Sequence, residues 1–360
     1  MASTGGRPAR ELRFCAEAGI IAAVELGATR ALVGLTDLSG TILASSREAI
    51  AIADGPDVVL GRVEALLDAL LAESVTPELR IWGIGMGLPG PVEYTTGRPI
   101  APPIMPGWDN FPVRERFAKR YSAPVWVDNE VNLMALAEHH HGGQDNLHKN
   151  LLFLKIGSGI GAGLIFDGVL YRGSQGSAGD VGHIEVTSDS NVVCRCGKTG
   201  CLEAVSGGVA LGRLATKYAK DGESTFLAQR LADSGTDSLQ AMDLALAATH
   251  GDLVAVTALI RAGKNIGRML STAVNLYNPA LIVVGGGVAN SGDLLLAAIR
   301  NTVYERSLPL ATRDLRIELS AVGAEVGLYG AALLAIEEVF SRRRLPLCLG
   351  AGSPADQLAV

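Results

Sequence analysis

Positive charge is in short supply. The 31 Lys and Arg residues stand against 37 Asp and Glu, for a formal net charge of -6. The chain as a whole therefore offers no electrostatic footprint for nucleic acid. Long apolar runs are missing too. Gly, Asp or Arg breaks each of them well short of the ~20 residues that a membrane span needs. No charged segment precedes an apolar one at the N-terminus, which argues against a signal peptide. The chain has 5 cysteines, and three of them cluster. That usage fits a metal site in a reducing cytoplasm better than a disulfide framework. What the chain does have is 48% hydrophobic residues and 44 glycines over 360 positions. The core can be large, and at ~100–200 residues per domain two domains are expected.

Periodicity divides the chain into elements. "IIAAVELGATRALVGLTDLSGTIL" reads as two β-rich runs around a Gly-Ala-Thr turn, with a third run in "TILASSREAIAI". "PDVVLGRVEALLDALLAE" has apolar residues three and four apart, the spacing of a helix. "LRIWGIGMGLPGPV" is a buried strand entering a Pro-Gly loop, and "APVWVDNE" is another strand. "VNLMALAEHHHG" predicts a helix ending at Gly142. "NLLFLKIGSGIGAGLIFDGVLYRG" reads as a glycine-laced hairpin, followed by a long helical stretch over about 205–275. "ALIVVGGGVA" is a strand into a glycine turn, and "VGLYGAALLAIEEVF" a terminal helix.

The segments "AVELGATRALVGL" and "LKIGSGIGAGLIF" echo each other as strand, small-residue turn and strand. Two such hairpins suggest two halves of related architecture facing one cleft. Glycine at these turns either lets backbone N–H groups approach a phosphate or serves close packing of the backbone itself. A similar choice arises in "VDNEVN", which crowds Asp128, Asn129, Glu130 and Asn132 where a strand becomes a helix. The cluster is either a helix cap or a site that grips the hydroxyls of a small polar ligand.

"GHIEVTSDSNVVCRCGKTGCLE" carries the most specific chemistry. His183, Cys194, Cys196 and Cys201 bring one imidazole and three thiolates within about twenty residues, a donor set suited to tetrahedral zinc. The alternatives are buried free thiols or a redox-active Cys-x-Cys pair. Four protein ligands leave no open position, so the metal would be structural and its binding energy would be folding energy. Asp180 and Glu203 flank this loop, placed to accept hydrogen bonds from sugar hydroxyls. One nitrogen of His183 can bind the metal while the other faces a ligand.

Taken together, these motifs resemble those of the ROK family (repressors, uncharacterised reading frames and sugar kinases). "CRCGKTGCLE" is similar to its cysteine signature, "AGDVGH" to its Gly-acid-Gly-His motif and "IGSGIGAGLIFDGVLYRG" to its second phosphate loop. "GIGMGLPGPV" and "NPALIVVGGGVA" fit as well, the latter where the kinases hold adenosine. The resemblance spans about residues 20–338. It implies two actin-like (ribonuclease H-like) α/β domains with sugar and ATP in the cleft between them. The expected divisions are a tail over 1–19, a smaller domain over 20–127 joined by the C-terminal helix at 326–340, a larger domain over 128–325 with a zinc loop at 183–203, and a tail over 344–360.

Carried over position by position, the sugar ligands are Asn129, Glu130, Asp180, His183 and Glu203. The phosphate and nucleotide positions are Glu25, Gly27, Ala28, Thr29, Gly157, Ser158, Gly159, Gly161, Gly285, Gly286 and Gly287. Four of these depart from the kinase pattern, in three places. Glu130 stands where the kinases carry the Asp that takes a proton from the sugar hydroxyl. "ELGATR" replaces Asp-Gly-Gly-Thr, with Glu25 and Ala28 changed, and Asp180 replaces the usual Glu. The N-terminal "GGRPARELRF", with Arg7, Arg10 and Arg13, resembles the wing and linker that follow a winged helix-turn-helix in the family's repressors. No winged helix precedes it in this sequence, so DNA is expected as a partner only if one lies upstream.

The resemblance thus implies a cytoplasmic, sugar-sensing protein of the regulator type. It would bind a hexose or sugar derivative, hold a structural zinc and form a homo-oligomer, a dimer or tetramer. The alternative is an ATP- and Mg-dependent sugar kinase, glucokinase-like, with Glu130 as base.

Overall fold

The computed structural model describes residues 13–74, 80–143, 146–289 and 292–346. Arg7 and Arg10 of the basic segment, and residues 347–360 of the expected C-terminal tail, lie outside them. In chain order the first half holds β1 (Ile20–Leu26), β2 (Arg30–Thr36), β3 (Ile42–Ala49), α1 (Pro56–Ser74), β4 (Ile81–Leu88), β5 (Val92–Glu93), β6 (Arg98–Pro99), α2 (Val113–Tyr121), β7 (Val125–Asn129) and α3 (Glu130–His141). The second holds β8 (Leu151–Ile156), β9 (Ile160–Phe166), β10 (Val169–Tyr171), α4 (Leu202–Ser206), α5 (Gly208–Lys220), α6 (Thr225–Ser234), α7 (Ala241–Thr249), α8 (Leu253–Tyr277), β11 (Leu281–Gly285), α9 (Asp293–Arg306), α10 (Pro309–Thr312), β12 (Arg316–Leu319) and α11 (Val326–Val339). The helical stretch expected over 205–275 is therefore five helices, α4 to α8, broken at glycine, serine and aspartate turns.

Two five-stranded sheets repeat one plan. The first runs β3-β2-β1-β4-β7 and the second β10-β9-β8-β11-β12. In each, two antiparallel hairpins share a strand, and two further strands then join in parallel through helical crossovers. The two echoing segments of the sequence are the first hairpins of the two sheets, β1–β2 and β8–β9. Position explains pattern. Strand β1 is buried at every residue because neighbours flank it on both sides and helices cover both faces. Edge strand β3 instead alternates between half-buried and exposed residues with the period-2 rhythm of a one-sided strand.

The layers follow from which faces are apolar. One face of the first sheet packs with α1 and α2 around Trp108 and Phe117. Its other face receives α11. Helix α3 lies against α11 on one side and against the second sheet, through Val131, Met134, Ala135 and Ala137, on the other. The far face of the second sheet is covered by α4 to α9. Helix α3 is buried from Glu130 to Glu138 because it is sandwiched in this way. No single helix among the described residues is long and apolar enough to cross a membrane.

Two glycines set the central contact. A Cβ on Gly330 of α11 would stand 1.9 Å from the carbonyl oxygen of Leu133 in α3, and one on Gly85 of β4 would stand 1.8 Å from that of Ala331. Helix α11 thus touches α3 and the first sheet backbone to backbone, which only a residue without a side chain permits. Gly330→Ala is expected to destabilise the protein by about 3 kcal/mol, the upper part of the overpacking range, as a lowered urea midpoint at unchanged slope.

Candidate functional site

The parallel strands of both sheets end at a common cleft. Its walls are Pro89, Gly90 and Pro91 after β4, Asn129 and Glu130 at the β7–α3 junction, Lys155 of β8 with Ser158 to Ala162 of the β8–β9 turn, and Gly176 to Asp180 with His183, Arg195 and Glu203. It encloses about 850 Å³ of non-atom space that opens to solvent. A site at the carboxyl ends of parallel strands is the usual place for a ligand in open α/β sheets.

All five residues expected around a sugar, Asn129, Glu130, Asp180, His183 and Glu203, line this cleft. Three of the expected phosphate residues, Ser158, Gly159 and Gly161, line it as well, whereas Glu25, Gly27, Ala28, Thr29, Gly157, Gly285, Gly286 and Gly287 are outside its walls. Of these, Gly27 is adjacent, since a Cβ there would lie 3.9 Å from Glu130 Oε2. The turn at Gly285–Gly287 sits behind the β8–β9 turn. Gly286, at φ 95°, approaches the Ile156 carbonyl so closely that a Cβ would stand 2.5 Å away, and Val288 N–H donates to the same oxygen.

The acid–amide cluster provides a helix cap and also places an acid toward the cleft. Asn129 caps α3, its Oδ1 accepting from Val131 N–H at 2.8 Å, while its Nδ2 donates to the Gly90 carbonyl at 2.8 Å. Asp128 faces away from the cleft. It is buried and accepts from Asn129 N–H, Asn132 Nδ2 and Arg172 Nε. Glu130 faces the cleft. Its Oε1 lies 2.5 Å from Lys155 Nζ at the end of β8, and its Oε2 is buried with no hydrogen-bond partner among the described residues. Burial pushes the Glu130 carboxyl up from its ordinary value, and the charge of Lys155 pulls the other way.

Glu25, at the end of β1, pairs with Arg30 across the first turn at 3.0 Å and leaves its Oε2 buried with no hydrogen-bond partner among the described residues. Glu203 is clamped, Oε1 accepting from Arg195 at 3.0 Å and Oε2 from Ile160 N–H at 3.2 Å. Lys155, Arg30 and Arg195 are the charged residues that the sequence reading passed over. Lys155 did leave a signal, as the one charge in the buried strand "LLFLKI". Arg195 stands between two cysteines of the metal cluster, so the loop that gathers them also aims its side chain.

The ligand atoms of His183, Cys194, Cys196 and Cys201 all lie within 4.8 Å of one another. Two of the distances test the fit. Zinc bonds of about 2.3 Å to sulfur and 2.0–2.1 Å to nitrogen give tetrahedral edges of roughly 3.8 Å between sulfurs and 3.6 Å between sulfur and nitrogen. Cys196 Sγ and Cys201 Sγ are 3.8 Å apart, and Cys194 Sγ and His183 Nδ1 are 3.6 Å apart. The donor set fits zinc, with Nδ1 as the imidazole ligand. Nε2 is then free, 3.8 Å from Asp180 Oδ1 at the edge of the cleft.

Comparison with known proteins now decides the family. The ROK family profile matches residues 21–338. The chain belongs to the ROK family. It is 29% identical over 94% of its length to a putative xylose repressor of a Caldicellulosiruptor species, covering 84% of that protein. Among solved structures it resembles a ROK glucokinase from Streptomyces griseus in complex with glucose and AMPPNP, at 28% identity and a TM-score of 0.75, over 88% of this chain and 99% of that one. It also resembles a ROK transcriptional regulator homologous to the Escherichia coli MLC protein, at 27% identity and a TM-score of 0.77, over 92% and 81% of the two chains. This ROK protein therefore has the actin-like α/β fold and both repressors and kinases as relatives.

Two outcomes follow from the site. Stripping metal with a strong chelator should lower the melting temperature by roughly 5–10 °C, and added zinc should restore it, as read by calorimetry with metal analysis. Because burial raises the Glu130 carboxyl, its contribution to stability is full below the unfolded-state pKa and is lost as pH rises through the folded-state value. The unfolding free energy of Glu130→Gln relative to the unsubstituted protein should therefore rise as pH climbs from the ordinary carboxylate range through neutrality. Parallel denaturation curves across that range check it, and a constant difference would contradict the shift.

Proposed function

We propose that this chain is a sugar receptor of the ROK regulator type, binding a hexose or sugar derivative in the cleft without phosphorylating it at an enzymic rate. The observation that carries the reading is the ion pair between Glu130 and Lys155. A general base must be free to take a proton from the sugar hydroxyl. Here the carboxylate oxygen that would do so is held by an ammonium group rising from the neighbouring strand. The acid then serves as a hydrogen-bond acceptor for a sugar hydroxyl, together with Asn129, Asp180 and Glu203.

His183 joins them through Nε2. Its other nitrogen, with Cys194, Cys196 and Cys201, would hold a zinc ion that fixes the loop as a structural element. The relatives support the sugar: one is named a xylose repressor and another was crystallised with glucose. In this reading the first sheet with α11 and the second sheet with its helices act as two domains, divided near Asp128.

The kinase reading has one observation in its favour. Glu130 Oε2 is unpaired, lies beside the Gly27 turn, and belongs to a carboxyl whose affinity for a proton burial has raised. A coupled ADP-release assay with ATP, Mg²⁺ and a panel of hexoses separates the two. The expected result is turnover at least ~10²-fold below that of the Streptomyces griseus glucokinase assayed beside it, with sugar-dependent thermal stabilisation of the same sample. Sugar-dependent turnover within tenfold of that enzyme, lost in Glu130→Gln, would establish a kinase instead.

A further inference from the structure

Asp128 is a buried carboxylate, 2% exposed at its side chain, on the first sheet, and its one cationic partner among the described residues follows the edge strand of the second. Arg172 follows β10 directly and reaches across to place Nε 2.7 Å from Asp128 Oδ2. Its guanidinium also lies over the ring of Tyr94, 3.8 Å from the centroid. Tyr94 stands between β5 and β6, and its hydroxyl donates to Glu338 of α11 at 2.6 Å. The arginine is therefore held by two contacts to the first half, Asp128 and Tyr94, although its own backbone belongs to the second.

What hangs from each end of this pair is the cleft wall. On one side, Asp128 Oδ1 accepts from Asn129 N–H at 2.7 Å and from Asn132 Nδ2 at 2.8 Å, which sets the turn that aims Asn129 and Glu130. On the other, the Arg172 carbonyl accepts from Ala178 N–H at 3.1 Å, and Gly179 accepts from Ala162 N–H at 2.8 Å, which shapes the loop carrying Asp180 and His183. That loop also abuts the first half at Gly176, where a Cβ would lie 2.5 Å from the Val92 carbonyl.

We propose that Arg172 is the positioning residue of the sugar site, a latch that sets the Asn129–Glu130 wall against the Asp180–His183 wall. The inference rests on the sugar-binding reading for its ligand, but the latch itself is a property of the ligand-free protein. Separating the walls would leave Asp128 buried without a counter-charge, which is strongly unfavourable. A planar, bidentate-capable and stackable cation suits the position better than a lysine, whose ammonium would neither reach Asp128 in the same geometry nor stack on Tyr94.

The test compares the full-length, zinc-loaded protein with Arg172→Gln, Arg172→Lys and the doubly substituted Asp128→Asn/Arg172→Gln. Hydrogen exchange without sugar is expected to accelerate roughly tenfold or more in Arg172→Gln at the amides of Asn129, Val131, Ala162 and Ala178, with protection along α8 unchanged. Calorimetric titration with glucose, xylose and N-acetylglucosamine should show, for whichever binds, an affinity weakened about tenfold to a hundredfold, as expected when a ligand group moves by up to ~1 Å.

The double variant removes both charges, so it should regain thermal stability yet keep the weak binding. A general loss of stability would raise exchange in α8 as well, and that outcome, like unchanged exchange at the four amides or full affinity in Arg172→Lys, overturns the assignment. If none of the sugars binds the unsubstituted protein, the receptor reading fails, and the exchange comparison alone decides the latch.

Discussion

The crossing of α3 over α11 is the constraint on which the rest of this structure depends. Two amphipathic sheets, each with a helical layer outside, need something between their inner faces, and here it is a single pair of helices in backbone contact. Gly330 and Gly85 bring α11 down onto α3 and β4, and the near-total burial of α3 follows from it. Because α3 begins at Glu130, the same packing that joins the halves also fixes where the cleft's central acid can be. Stability and ligand geometry are thus one problem in this fold, since the element that fills the core is the element that opens the site.

Charge in the cleft is arranged in pairs. Glu130 meets Lys155, Glu203 meets Arg195, and Glu25 meets Arg30 at the neighbouring turn. Each carboxylate is largely buried, and each cation is the more exposed partner. Burying a carboxylate alone is costly, and a paired cation offsets part of that cost and gives the group a direction. A site built this way is suited to holding hydroxyl groups by accepting and donating hydrogen bonds. The Cys/His cluster borders the same wall, because His183 is one of its four members, Arg195 stands between Cys194 and Cys196, and both face the cleft.

Much of this was readable beforehand. The repeated hairpin, the strand at "VWVDNE", the terminal helix and the four-residue metal cluster are local signals. They depend on periodicity, on turn glycines and on ligand spacing that the chain carries within a few tens of residues. The five expected sugar residues converge because each lies at the end of a strand or within the metal loop, and these ends share one edge of the fold. The glycines at Gly285, Gly286 and Gly287 were equally visible as a turn, and the structure packs Gly285 against Phe153 and Gly286 against Ile156 of β8. A glycine records that something approaches the backbone and does not say whether that is a ligand or another strand.

By itself, then, the sequence determined the α/β class, the doubled plan, the gathering of one histidine with three cysteines and the acid–amide cluster at the head of α3. All of these are written in short-range order. Only the tertiary structure decided how charges pair across it. That Asp128 turns away to Arg172, 44 residues on, while Glu130 turns inward to Lys155 could not be read from two acids two positions apart. Their side chains diverge because one lies in a strand and the other begins a helix, and the partner of each comes from the opposite sheet. Long-range pairing of this kind is set by the packing of α3 and α11, which no local pattern encodes.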